Sequence, residues 1–128
     1  MTRAMTIHEP DERFVLRPST IPGAGLGVFA RVDLAAGDEL EIVGVIVPRD
    51  SIADRCTHFA DGHKFNLGDD RLLIPCGFGG MVNHADEPNL ERVLNGDRIV
   101  LRALRPIRAG EELVHRYHAP ALERFGLK

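Results

Sequence analysis

No apolar segment of this chain runs far without interruption. Its longest stretch of strand composition, residues 40–47 (LEIVGVIV), already contains Gly44 and stops at Pro48. Glycine and proline supply 13 and 8 of the 128 residues, and they fall between short runs of branched apolar side chains. Val, Ile and Phe in such runs suit a pleated, half-buried surface, while the punctuation leaves little room for helices of ordinary length. The expected fold is therefore mostly β, built from many short strands. No fixed repeat joins them, which argues against a solenoid or a propeller blade.

The strand candidates are residues 13–17 (RFVLR), 28–32 (VFARV), 40–47, 64–67, 71–74, 89–94, 98–103 and 112–117. The pair 89–94 and 98–103 flanks Asn95-Gly96-Asp97, whose chemistry tolerates the positive φ of a tight hairpin. The Gly68-Asp69-Asp70 turn joins 64–67 to 71–74 in the same way. One short helix is expected over residues 52–59, capped by Asp50 or Ser51, and residues 120–125 suit a last helical turn or two. Residues 76–88 read as a glycine-rich loop. A chain of this length carries one core, which gives a lead-in at 1–12, a single domain at 13–119 and a short tail at 120–128.

Composition excludes several classes of function. The 16 basic and 19 acidic side chains give a formal net charge of −3, so no broad positive field exists to hold a polyanion, and a specific nucleic-acid partner is not expected. Cys56 and Cys76 lack the close spacing from which a zinc site starts, and a chain with its own core needs no disulfide. No apolar run approaches the roughly 20 residues that cross a bilayer, and Glu9, Asp11 and Glu12 occupy the place of a signal peptide's apolar stretch. These features lead to the expectation of a soluble cytoplasmic protein with no membrane partner.

Three segments carry the chemistry. Gly23-Ala-Gly-Leu-Gly27 feeds a strand-like run, so it does not fit a dinucleotide fingerprint, which must open a helix. It is either a tight turn or a loop whose amides approach a ligand. Residues 79–89 (GGMVNHADEPN) place Asn83, His84 and Asn89 in a stretch without helix or strand pattern. That is either an Asx-rich loop or a cradle of amide groups for a polar cofactor. Residues 110–117 (GEELVHRY) end on Tyr117, the one tyrosine of the chain, which can pack or can line a narrow aromatic passage.

Taken in order, the three resemble the SET domain, the fold of a large class of protein lysine methyltransferases. Ser19 through Ala30 match its opening serine and Gly-x-Gly-x-Phe-Ala turn. Asn83-His84-Ala-Asp-Glu-Pro88-Asn89 match its Asn-His-x-x-x-Pro-Asn loop. Gly110 to Leu113 with Tyr117 match its closing Gly-Glu-Glu-Leu and tyrosine. The resemblance covers residues 13–117 and implies a β-clip-like domain of several small curved sheets with a threaded C-terminal segment and few short helices.

It also implies S-adenosyl-L-methionine as cofactor. The backbone around Gly25 and Gly27 would receive its methionine part, Leu26 would lend apolar surface, Asn83 would hold the amino-acid end, and the His84 backbone would meet the adenine edge. A lysine of a protein or peptide substrate would enter from the opposite face and end at Tyr117, the implied catalytic residue, which orients the amine and does not act as a base. For Arg17 and Glu112 a surface or structural role is the expectation.

The chain departs from the family pattern in places. Ala85-Asp86 stands where a serine-cysteine pair is usual, and residues 118–128 hold no cysteine, so the zinc site many members build beyond the tyrosine is not expected. His115 stands where many members place an aromatic ring, leaving Phe59, Phe65 or Phe78 either as substitutes in the channel or as core. His58, His63 and His118 read as surface or turn residues. The competing reading is a catalytically weak or inactive relative that binds cofactor or peptide. A homodimer is one way to cover a bare strand edge or channel mouth.

Overall fold

A computed structural model describes residues 11–117. The expected helical tail at 120–125, His118 and most of the 1–12 lead-in lie outside the described residues. In chain order the elements are β1 (Phe14–Pro18), β2 (Leu26–Ala30), β3 (Glu39–Glu41), β4 (Gly44–Pro48) and α1 (Ile52–Cys56). A 3-10 segment at His58–His63 precedes β5 (Phe65–Gly68) and β6 (Arg71–Pro75), and another at Phe78–Met81 precedes β7 (Asn83–His84). The chain continues through β8 (Leu90–Asn95), β9 (Arg98–Ala103) and β10 (Glu112–His115).

Three small sheets result, ordered β1-β2-β10-β7, β3-β9-β8 and β4-β6-β5. β10 joins the first sheet antiparallel to β2 and parallel to β7, a two-residue strand inside what the sequence gives as loop. Asn89 then secures β10 from the far end of the same loop: its Oδ1 accepts from Val114 N–H at 2.9 Å and its Nδ2 donates to the Glu112 carbonyl at 2.9 Å. The last described strand is thus held along its length by residues 83–89.

β9 shows why the second sheet has its register. Ile99, Leu101 and Ala103 point into the core, together with Val28, Leu34, Ile107 and Leu113. On the opposite face Arg98 pairs with Glu41 at 2.8 Å and Arg102 with Glu39 at 3.0 Å, across the β3–β9 ladder. A one-residue slip of β9 would turn Arg98 and Arg102 toward the core and expose its apolar set.

Three expectations need correction. Residues 40–47 form two strands in different sheets. Ile42 N–H still bonds the Ile99 carbonyl, but the Val43 carbonyl accepts from Cys76 N–H, so the chain changes partner between them. Gly44 permits the change, because a Cβ there would strike the Ile74 carbonyl. The helix over 52–59 ends at Cys56, where the Thr57 hydroxyl bonds the carbonyls of Ala53 and Asp54 and tightens the chain into the 3-10 segment. Ser51 is its cap. Finally, β2 begins two residues before the expected 28–32 run and stops at Ala30, its pairing with β1 reaching back to Leu26.

Candidate functional site

The glycine turn is closed by a Ser19 N–H to Gly25 carbonyl bond of 2.8 Å, with Gly23 and Gly25 at φ 78° and 74°. In that left-handed region a side chain costs steric energy, so glycine is the residue that lets the loop fold back on itself. The turn delivers Ser19 and Thr20 to the Glu112 carboxylate. Ser19 Oγ donates to Oε2 at 2.8 Å, while Thr20 donates to Oε1 through both N–H (2.9 Å) and Oγ1 (2.7 Å). Asn83 Nδ2 reaches Oε2 at 3.2 Å and the Leu26 carbonyl at 3.0 Å.

Glu112 therefore joins three elements distant in sequence: the turn, β10 and β7. Burial pushes its carboxyl upward, but the hydrogen bonds from Thr20, Ser19 and Asn83 outweigh that and hold it below the usual carboxylate range. Gly27 completes the cluster by absence, since a Cβ there would collide with Glu112 Oε2 and crowd Asn83 Nδ2. Asn83 spends its amide donor on the protein and keeps its Oδ1 outside the hydrogen bonds of the cluster. Leu26 beside it is 48% exposed.

At the next residue of β7 the polar cluster gives way to aromatic rings. His84 Nδ1 accepts from Tyr117 N–H at 2.9 Å, which places the ring proton on Nε2, 3.3 Å from Asp86. The Tyr117 hydroxyl donates to the Val82 carbonyl at 3.0 Å. Tyr117 packs against His84 and His115 with centroids 5.3 and 5.0 Å away, and His115 stacks on Phe65 at 6.1 Å. Burial raises the Tyr117 pKa above that of a free phenol.

These rings form one side of an open pocket. Phe65, Val82, His115 and Tyr117 line it together with Gly79, Gly80 and the basic residues His63, Lys64 and Arg92. Lys64 is nearly fully buried. Burial alone would lower its pKa, but the Asp54 and Asp61 carboxylates, each 2.6 Å from Nζ, reverse the direction and keep it raised.

The structure brings Gly25, Leu26, Gly27 and Asn83 to one end of the site and Tyr117 to the other, with His84 beside Tyr117 and the two ends joined through residues 82–84. Sequence reasoning gave Glu112 a surface or structural role and missed that it organises the site. The doublet Glu111-Glu112 hides it, since Glu111 makes an exposed pair with Arg105 at 3.0 Å. Among the aromatic candidates Phe65 lines the pocket, Phe78 packs on Phe14 at 5.9 Å, and the Phe59 side chain lies outside the described residues. His63, expected as a plain turn residue, also reaches the pocket.

Known proteins point the same way. Residues 25–118 match the family model described as SET domain. Among solved structures, a Plasmodium falciparum protein assigned as a histone methyltransferase superposes with a TM-score of 0.67 at 21% identity, covering 84% of this chain and 95% of that one, a likeness of fold. A humanized mutant of the Chaetomium thermophilum Polycomb Repressive Complex 2, bound to an inhibitor, superposes with a TM-score of 0.69 at 28% identity. There the match covers 81% of this chain but 14% of the other. No sequence among curated proteins matches. With its glycine turn, Asn-His loop and terminal tyrosine converging, and with the family model spanning most of its length, this chain belongs to the SET domain family.

Proposed function

We propose that this protein transfers a methyl group from S-adenosyl-L-methionine to the side-chain amine of a lysine in a protein or peptide. The observation that carries the reading is the junction at residues 82–84, where the polar cluster around Asn83 and the aromatic pocket around Tyr117 meet over three consecutive residues. A donor site and an acceptor site placed back to back are what a direct group transfer requires.

The residues present suit this cofactor. Gly27 lets β2 pack directly on Glu112 and Asn83, which fixes the Asn83 amide in place. Asn83 Oδ1 is an acceptor of the kind an amino-acid ammonium seeks, and exposed Leu26 offers apolar surface to the rest of the molecule. When bound, S-adenosyl-L-methionine supplies an electrophilic methyl on a sulfonium whose leaving thioether is neutral and needs no general acid.

The work left to the protein is to present an unprotonated amine. A free lysine ammonium has a pKa of about 10.4, and desolvation by the walls of the pocket lowers it, so that the proton passes to water before transfer. Tyr117 does not take it: burial raises the phenol's own pKa, so it remains protonated. Its hydroxyl hydrogen is directed at the Val82 carbonyl, and the phenol oxygen is the acceptor type that an amine N–H needs to aim its nitrogen. His84 fixes the Tyr117 backbone, and His115 with Phe65 fixes the flank of the ring.

Calorimetry with S-adenosyl-L-methionine, followed by mass spectrometry of lysine peptides incubated with enzyme and cofactor, tests the proposal. Saturable cofactor binding with methyl-sized mass increments on lysine supports it. Absence of cofactor binding overturns it. Binding without transfer to any peptide or extract protein would assign the fold a recognition role instead.

A further inference from the structure

The three basic residues at the acceptor pocket do not share the same electrostatic situation. Lys64 is matched by two carboxylates, Asp54 and Asp61. His63 stands at the exposed edge. Arg92, on β8, lines the pocket without any acid paired to it among the described residues. Arg13, Arg71, Arg98, Arg102, Arg105 and Arg116 each sit within 3.0 Å of an aspartate or glutamate oxygen, while Arg17, Arg31, Arg49, Arg55 and Arg108 are left without such a pair among the described residues as Arg92 is, so its place in the pocket is what distinguishes Arg92. Arg92 keeps solvent access, yet enough protein surrounds it that burial pulls its pKa down, with no carboxylate opposing the shift.

A guanidinium beside a pocket with no acid next to it leaves its charge uncompensated there, and the group that relieves it is a carboxylate held in the plane of the fork. The same guanidinium repels a lysine ammonium approaching the pocket. A substrate that carries its own carboxylate beside the lysine offsets both terms at once. One whose lysine lies among further basic residues adds to the repulsion.

Building on the methyl-transfer reading, we propose that Arg92 selects substrates by pairing with an aspartate or glutamate side chain close to the acceptor lysine. The spacing between lysine and acid is roughly one to three residues, the span an extended chain covers between a pocket and its rim. Arg92 is a specificity-determining residue in this assignment. It takes no part in moving the methyl group.

The test uses the full chain saturated with S-adenosyl-L-homocysteine and three labelled peptides that differ only around one lysine, bearing glutamates, alanines or arginines. Fluorescence anisotropy reads binding without requiring transfer. The wild type is expected to bind the glutamate peptide about three- to tenfold more tightly than the alanine peptide, the range of a partly solvated charge pair, and the arginine peptide most weakly. Arg92→Ala should bring the three peptides together, and Arg92→Glu should invert the order. A structural role for Arg92 cannot produce an inversion matched to peptide charge. In turnover the preference is expected in KM, with kcat unchanged.

An unaltered preference in Arg92→Glu, or no preference in the wild type, overturns the assignment while leaving methyl transfer standing if lysine peptides are still modified. Failure of the wild type to bind any peptide, or to modify any lysine, overturns both.

Discussion

The two ends of the site are built on opposite principles. At the Asn83 end almost every polar atom is engaged: Ser19, Thr20 and Asn83 converge on one carboxylate, and the cluster ties together residues more than ninety positions apart. At the Tyr117 end the walls are largely rings, with hydrogen bonds holding the tyrosine, and the one buried charge, Lys64, is neutralised by Asp54 and Asp61. The first arrangement fixes a shape that any substitution disturbs. The second provides a weakly hydrated passage whose tolerance depends on ring size and peripheral charge. Damage at the first end should remove binding and weaken the fold together, and damage at the second should remove turnover and spare both.

Gly27→Ala is the severest test of the first half of that contrast. The new Cβ would overlap Glu112 Oε2, so either the carboxylate or β2 must move. Overpacking of this kind costs about 1–3 kcal/mol of stability. Because cofactor and acceptor must be aligned to within about an ångström, methyl transfer is expected to fall roughly a hundredfold or more. Calorimetry should show cofactor affinity lost in parallel. A variant with normal affinity and reduced turnover would mean that the polar end does not seat the cofactor.

Tyr117→Phe tests the second half. It keeps the ring contacts with His84 and His115 and deletes the hydroxyl that donates to the Val82 carbonyl. One hydrogen bond of this type is worth about 1 kcal/mol of net stability. Loss of an aligning group costs roughly a hundredfold in kcat. Cofactor binding should be unchanged, and a concurrent loss of it would merge the two ends into one functional unit.

Glu112→Gln examines the cluster through its charge. A neutral amide cannot accept from Ser19, Thr20 and Asn83 as a carboxylate does, and leaving such donors short costs about 1–3 kcal/mol. The sign with pH follows from the depressed carboxyl pKa of the native state. A carboxylate favoured by folding contributes fully above its unfolded value of about 4.3, and that contribution is lost as pH falls through the lower, folded value. Urea unfolding should therefore separate wild type from variant most at neutral pH and bring them together below about pH 4. A constant gap across that range would show that Glu112 acts by packing and not by charge.

The same contrast explains what could be read from the sequence. The β8–β9 hairpin was legible because Asn95-Gly96-Asp97 settles its own geometry locally. The three motifs marked the polar end because glycine, asparagine and tyrosine are unusual enough in order and spacing to stand out. Long-range pairing is different. Nothing in residues 83–84 announces a strand, since their ladder exists only once β10 lies beside them. The run at 40–47 reads as one strand despite Gly44, and its division depends on two partners, Ile99 and Cys76, that come together only in the fold. Phe65 and Arg92 carry no local signature that separates a pocket wall from core or surface. The aromatic end was thus identified by Tyr117 alone.

Leu26→Ala is the smallest perturbation and the most selective. The side chain is 48% exposed in the protein by itself, so its truncation should leave unfolding stability within about 0.5 kcal/mol of wild type. If the cofactor covers that surface, as its position over the Asn83 cluster implies, the lost contact is worth about 1 kcal/mol, or roughly fivefold in Kd. Transfer at saturating cofactor should not change. A side chain that contributes to binding while contributing nothing to the fold is what a preformed ligand surface requires. Equal cofactor affinity in wild type and variant would move the cofactor away from β2 and leave the exposed leucine without a ligand to explain it.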